Sequence, residues 1–186
     1  MSKLSHLNPK RVFQLFEEIC AIPHGSGDME KISFFCENFA KKNGLEFKKD
    51  DALNVIIFKP ATEGYENSEP IILQGHMDMV CQKDIDCEFD FLKDGIKVYE
   101  KDGFVMANGT TLGADNGIAV AMIMAILESN DIPHPPIYAL FTTDEETGMV
   151  GATNLDTSLL KAKKLINIDS ETDDVLTVSC AGGRNG

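Results

Sequence analysis

Apolar residues recur along this chain with two different periods, and the switches between them divide it into elements. Val12, Leu15, Phe16, Ile19 and Cys20 repeat at helical spacing after Asn8-Pro9, a capping residue and a proline suited to the first helical turn. Pro23 stops that pattern. Ile32, Phe35, Cys36, Phe39 and Ala40 form a second helical stripe, which Asp28 can cap and Asn43-Gly44 can end. Val55-Ile56-Ile57-Phe58 and Ile71-Ile72-Leu73 are continuous apolar runs too short for helices, as expected of strands buried on both faces. Residues 88–112 read differently. Lys93-Asp94-Gly95 and Lys101-Asp102-Gly103 are turn signals on either side of the alternating stretch Ile96-Lys97-Val98-Tyr99, which predicts an antiparallel hairpin. A helix apolar nearly all round, and therefore buried, is predicted over 117–129. Beyond Pro133, Pro135 and Pro136 the pattern predicts a strand at 137–143, a short polar helix near 156–162 and a strand at 164–168. A last strand is predicted from Val175 to Ser179, before Ala181-Gly182-Gly183. This order predicts an α/β fold, a three-layer sandwich around a mixed, largely parallel sheet.

Four of these elements meet residues that bind cations. Ile71 to Leu73 leads into Gly75-His76-Met77-Asp78, and Gly113-Ala114-Asp115-Asn116-Gly117 opens a helix. Tyr138 to Thr143 leads into Asp144-Glu145-Glu146, and Leu165 to Ile168 leads into Asp169. The carboxyl ends of parallel strands lie side by side, and ligands bind in the crevice outside them. Acidic groups gathered there repel one another unless a cation sits among them, so the pattern points to a metal site able to hold two ions. Taken singly, each position also has an ordinary reading. His76 and Asp78 can be a buried structural pair, Asp115 an N-cap in a tight turn, Glu145-Glu146 an acidic loop and Asp169 a strand-end residue. In the metal reading His76 is a ligand and Asp78 fixes its tautomer. Glycines on both sides of Asp115 leave it unobstructed to bridge two cations. Of the adjacent glutamates, one holds metal while the other takes a proton from water, the division of labour that metal-assisted hydrolysis needs.

A length of 186 residues allows one domain with a sizeable core, or one domain and part of another. The net charge of −13 argues against nucleic acid or an anionic membrane as the partner. It suits a cation site, and it equally suits a merely well-solvated surface. The N-terminus has no apolar core of the kind a signal peptide carries, and the longest apolar stretch, Ile118 to Leu127, is far short of the roughly 20 residues a bilayer requires. A soluble, cytoplasmic protein is the expectation. Of the five cysteines, Cys20 and Cys36 fall on apolar helical faces, Cys81 and Cys87 read as lone thiols, and no Cys-x-x-Cys occurs, which fits a reducing compartment.

Four segments carry a resemblance. They are Gly75-His76-Met77-Asp78-Met79-Val80-Cys81-Gln82-Lys83, Gly109-Thr110-Thr111-Leu112-Gly113-Ala114-Asp115-Asn116-Gly117, Thr143-Asp144-Glu145-Glu146-Thr147-Gly148 and Asn167-Ile168-Asp169-Ser170-Glu171. In this order they resemble the co-catalytic zinc exopeptidases, and within these the cytosolic Xaa-His dipeptidases. The resemblance implies two Zn²⁺ ions, with Mn²⁺ or Co²⁺ as substitutes. His76, Asp115 and Asp169 would hold one ion, and Asp115 would bridge to a second that also takes Glu146. Glu145 would be the general base for a zinc-activated water, Asp78 would support His76, and the Asp115-Asn116 peptide would be cis. The implied activity is hydrolysis of the peptide bond of small dipeptides, Xaa-His among them, by an enzyme that dimerises through a lid domain.

The likeness runs from about residue 8 to the end, so residues 1–186 correspond to the N-terminal portion of the catalytic domain. The lid and the C-terminal catalytic portion, with a histidine for the second ion, lie outside it. None of His6, His24, His76 and His134 stands in that histidine's place. The expectation is a chain cut at a domain junction after Gly182-Gly183, inactive in isolation. Two other readings stay open: another hydrolase of the same superfamily, a tripeptide aminopeptidase or an aminoacylase, and a non-catalytic metal-binding α/β module. A Mg²⁺ phosphotransferase fits poorly, because imidazole is a poor Mg²⁺ ligand and no phosphate-binding glycine loop occurs.

Overall fold

Three of the apolar runs become adjacent parallel strands. The structure, a computed structural model, describes residues 3–170, 172 and 175–178. In it β3 (Ile71–His76) lies between β6 (Ile137–Thr142) and β7 (Lys164–Asn167) and runs parallel to both. The register sets His76 opposite Thr142 and Gln74 opposite Asn167. On the far side of β6, β2 (Val55–Lys59) pairs antiparallel, and β1 (Glu46–Lys49) pairs antiparallel with β2, giving the order β1-β2-β6-β3-β7. The sheet is mixed as expected, with two of these four pairings parallel. The extra antiparallel pairing comes from β1, whose single apolar residue, Phe47, gave no strand signal. Its turn is built by Asp50, whose side chain accepts the N–H groups of Ala52 and Asn54, an aspartate stabilising its own turn.

Three helices lie on one side of the sheet, α2 (Glu30–Lys42) and α3 (Ala114–Glu128) against it and α1 (Lys10–Cys20) on α3. Helix α3 has no polar stripe, since Ala119, Val120, Ala121, Ile123, Met124 and Leu127 are all buried. It therefore fits between the sheet and α1, and the guanidinium of Arg11 ties α1 to Glu128 at its end. Phe16, Ile19, Ile57 and Phe141 belong to this core, each stabilising the fold by roughly 1.5–3 kcal/mol through burial. The other face carries Ile56, Ile72 and Leu140, covered by Leu155, Leu159, Leu160 and Ala162. The covering layer there is thin. Its residues follow the short helix α4 (Val150–Thr153) and surround a 3-10 turn at Thr157–Leu159, where a helix was expected over 156–162. Asp156 accepts the N–H of Ser158 at 3.0 Å, and such a local bond competes with helix propagation.

Boundaries shift by a residue or two elsewhere. Helix α1 begins at Lys10 with Pro9 rather than Asn8 in the capping place, and the Asn8-Pro9 bond is cis. Asp28 does not cap α2 but pairs with Lys31 at 3.1 Å. The hairpin forms between β4 (Val98–Lys101) and β5 (Phe104–Ala107) around Asp102-Gly103, both at positive φ as a tight hairpin turn requires. Val175 to Val178 form no strand, while Ser179, Cys180 and Ala181-Gly182-Gly183 lie outside the described residues. Cys20 and Cys36 are buried thiols, and Cys81 and Cys87 are free and nearer the surface. Among the described residues no helix is long and apolar enough to cross a membrane.

Candidate metal centre

Because β6, β3 and β7 are parallel neighbours, the segments leaving their carboxyl ends emerge along one edge of the sheet. His76 closes the central strand, Glu145 and Glu146 follow β6, and Asp169 follows β7. Asp115 reaches the same edge from the start of α3, where Gly113 makes the entry turn with φ +73°. A Cβ added to Gly113 would sit 2.8 Å from the sulfur of Met79. Glycine thus serves twice there, for its left-handed backbone and for the close approach.

The imidazole of His76 is 1% exposed and has two distinct sides. Nδ1 lies 3.2 Å from Oδ1 of Asp78 and 3.1 Å from the Asp78 carbonyl, so it carries a proton and donates inward. Nε2 faces the cleft, 3.1 Å from Oδ1 of Asp115 and 4.0 Å from Oε2 of Glu145. One ligand atom from each of His76, Asp115 and Glu146 lies within 4.8 Å of the other two. Asp169 stands outside that triangle, but its carboxyl lies against that of Asp115 and its charge is felt at His76. His76, Asp115 and Glu146 therefore meet at one cleft with Glu145 beside them, while Asp78 is buried behind the imidazole. The Asp115-Asn116 peptide is cis. A cavity of about 310 Å³ adjoins Asp115 and Glu146, with Met79, Val80, Leu112 and Ala114 forming an apolar wall.

Asp78 holds more than the imidazole. Its Oδ1 accepts the N–H of Glu145 at 3.0 Å, and its Oδ2 accepts the hydroxyl of Ser26 at 2.8 Å and the N–H of Glu146 at 3.2 Å. One buried carboxylate thus anchors the histidine and the loop that presents both glutamates. Asp144 fastens the same loop on its outer side by accepting the N–H of Gly27 at 2.7 Å. Burial alone would push the Asp78 carboxyl up, but these hydrogen bonds and the charge of His76 outweigh it and hold it down to about 2. Burial likewise pulls the His76 imidazole down, yet the hydrogen bond and charge of Asp78, aided by Asp169 and Asp115, raise it to about 9. Glu146 and Asp169 are both raised, by burial first and also by the charge of Asp115, with His76 opposing. The centre is an over-acidic cleft in which a cation relieves repulsion.

The donor set fits a divalent transition cation. An imidazole whose Nδ1 is engaged offers Nε2 outward, and carboxylates surround it, a combination suited to zinc and its neighbours. Sequence reasoning missed Ser26 and Asp144. Gly25-Ser26-Gly27 carries only a turn signal, and Asp144 was passed over beside the two glutamates that follow it.

Residues 72–178 match the model of peptidase family M20/M25/M40. Over 183 residues the chain is 44% identical to the cytosol non-specific dipeptidase of Escherichia coli strain K12, a span covering 98% of this chain and 38% of that protein. The fold is similar to the crystal structure of aminoacylhistidine dipeptidase from Vibrio alginolyticus, with a TM-score of 0.89 and 45% identity over 92% of this chain and 35% of that one. It is also similar to a tripeptidase from Staphylococcus aureus, with a TM-score of 0.75 and 26% identity over 90% of this chain and 45% of that one. The chain spans less than half the length of each of these relatives.

Proposed function

The chain belongs to peptidase family M20/M25/M40, and we propose that it is the N-terminal portion of the catalytic domain of a metal-dependent dipeptidase, the rest of which lies in a longer protein. The observation that carries this reading is the triangle of His76, Asp115 and Glu146, with the carboxylate of Glu145 beside it, 4.0 Å from Nε2 of His76. Two divalent ions, Zn²⁺ by preference and Mn²⁺ or Co²⁺ as substitutes, are assigned to the cleft. His76, Asp115 and Asp169 would hold one, and Asp115 and Glu146 would contribute to the other. Bound there, such ions polarise a peptide carbonyl and lower the pKa of water.

Glu145 takes the proton from the attacking water and passes it to the leaving amine. Its backbone N–H is held by Asp78, so its carboxylate starts from a fixed position, and a well-placed base of this kind contributes about 10²–10⁴ in rate. Asp78 keeps Nε2 of His76 aimed into the cleft. The names of the Escherichia coli and Vibrio relatives both denote dipeptidases, and the second specifies histidine. These names support a dipeptide substrate, Xaa-His among them. The word cytosol in the first name supports the same compartment here.

The test is hydrolysis by the full-length protein of an Ala-His dipeptide, a tripeptide and an N-acetyl amino acid, each with and without a chelator. Metal-dependent cleavage of the dipeptide in preference to the other two is expected. Preference for the tripeptide or the acylated amino acid would assign the protein to a sister activity, and no cleavage of any would leave a binding module.

A further inference from the structure

We infer that Asn116 is a positioning residue that ties together the carriers of three metal ligands and thereby sets the affinity of the centre for its ion, an inference that rests on the metal-centre reading above. Its side chain is buried at 4% exposure. Its Oδ1 accepts the backbone N–H of His76 at 3.2 Å, and its Nδ2 donates to the carbonyl of Ile168. His76 is itself a proposed ligand, Ile168 immediately precedes Asp169, and Asn116 immediately follows Asp115. One planar amide therefore joins the end of β3, the start of α3 and the exit from β7. A neutral amide offers an acceptor for an N–H and a donor for a carbonyl on the same fork, whereas an ionised carboxylate offers acceptors alone.

The surroundings leave room for this fork and no more. A Cβ added to Gly75 would lie 2.6 Å from Oδ1 of Asn116, so a side chain there must push the amide aside. Ile168 is held on its other side by its own N–H, which donates to the Gln74 carbonyl at 3.2 Å. Asn116 thus completes the fixing of the residue that leads into Asp169. Groups that orient metal ligands in this way cost about 10–100-fold in metal affinity when removed.

The experiment titrates the metal-stripped full-length protein with Zn²⁺ by calorimetry and records the melting temperature of the metal-free form. Asn116→Asp keeps the size of the side chain and the acceptor toward His76, but sets an oxygen against the Ile168 carbonyl. It is expected to raise the Zn²⁺ dissociation constant about 10–100-fold, although its added negative charge alone would tighten cation binding. Because the lost contact acts through Asp169, adding Asn116→Asp to Asp169→Asn should weaken binding by less than about threefold further. A merely structural role would lower the melting temperature, leave affinity alone and act equally in both backgrounds. Gly75→Ala displaces the same amide without changing its chemistry and should also weaken Zn²⁺ binding, so it serves if Asn116→Asp does not fold. Zn²⁺ binding within twofold of the parent by the folded variant, or full additivity with Asp169→Asn, overturns the inference while leaving the metal centre intact. A parent protein that binds no Zn²⁺ overturns the metal centre and the inference together.

Discussion

Replacing Asp78 with asparagine preserves the outline of a buried side chain and deletes its charge, so it isolates what that charge does in the metal-free protein. The folded structure holds the Asp78 carboxyl near 2 against its ordinary 3.8, which at 1.36 kcal/mol per pH unit is roughly 2 kcal/mol of stability. A depressed carboxylate contributes that stability above its unfolded value and loses it as pH falls through the folded one, here from about pH 4 towards 2. His76 is the same interaction seen from its other end. Its raised value means the pairing is fully present below its ordinary 6.5 and is lost as pH rises through about 9. The stability difference between parent and Asp78→Asn should therefore form a plateau of roughly 2 kcal/mol between about pH 4 and 6.5 and shrink on both flanks. Urea unfolding at pH 2.5 to 9.5, with chelator present, measures it. A difference that does not vary with pH, or one under about 0.5 kcal/mol on the plateau, would show that Asp78 is not paired to a charged His76.

In the full-length protein, Glu145→Gln should keep Zn²⁺ affinity within about threefold while turnover of a dipeptide falls at least about 100-fold; retained turnover removes Glu145 as the base. Chelation should abolish hydrolysis, and Zn²⁺, Mn²⁺ or Co²⁺ should restore it. Because the imidazole of His76 stays protonated up to about 9 in the metal-free protein, Zn²⁺ uptake at pH 7 should release about one proton from it. Calorimetry in buffers of different ionisation enthalpy counts that proton, and a count near zero contradicts the assignment of His76 as a ligand. Gly113→Ala meets both a φ of +73° and the Met79 sulfur, so it should cost about 1–3 kcal/mol of stability by urea unfolding. An unchanged midpoint would mean that the turn before Asp115 is not constrained.

Much of this was legible because the signals were long or chemically loud. Helix α3 is apolar on all sides, and its place between sheet and α1 follows from that alone. The apolar runs ending at His76 and before Glu145 and Asp169 read as strands, and their parallel pairing brings the ends together. Strand β1 was not legible, because Glu46, Lys48 and Lys49 leave one apolar residue to report it. The 3-10 turn at Thr157–Leu159 was overread as a helix, since periodicity does not weigh the local bond from Asp156. In the centre, the residues with chemistry were visible and the residues that hold them were not. Ser26 reaches Asp78 across 52 positions, and Asn116 reaches Ile168 across 52 more, separations at which sequence periodicity carries no information.

Those holding contacts explain how so acidic a cleft can exist before an ion arrives. Glu146 and Asp169 are raised by burial and by the charge of Asp115, so the cleft opposes its own assembly. Asp78 answers with contacts to the imidazole, two backbone amides and a hydroxyl, and these do not require a cation. Asn116 links the remaining segments through neutral hydrogen bonds, which are indifferent to the charge around them. The geometry is therefore set by buried polar contacts, while Asp115, whose side chain is 72% exposed, stands in water at the mouth of the cleft. A cation entering such a site neutralises repulsion already present and reorganises little, and its binding free energy adds to the stability of the fold by mass action.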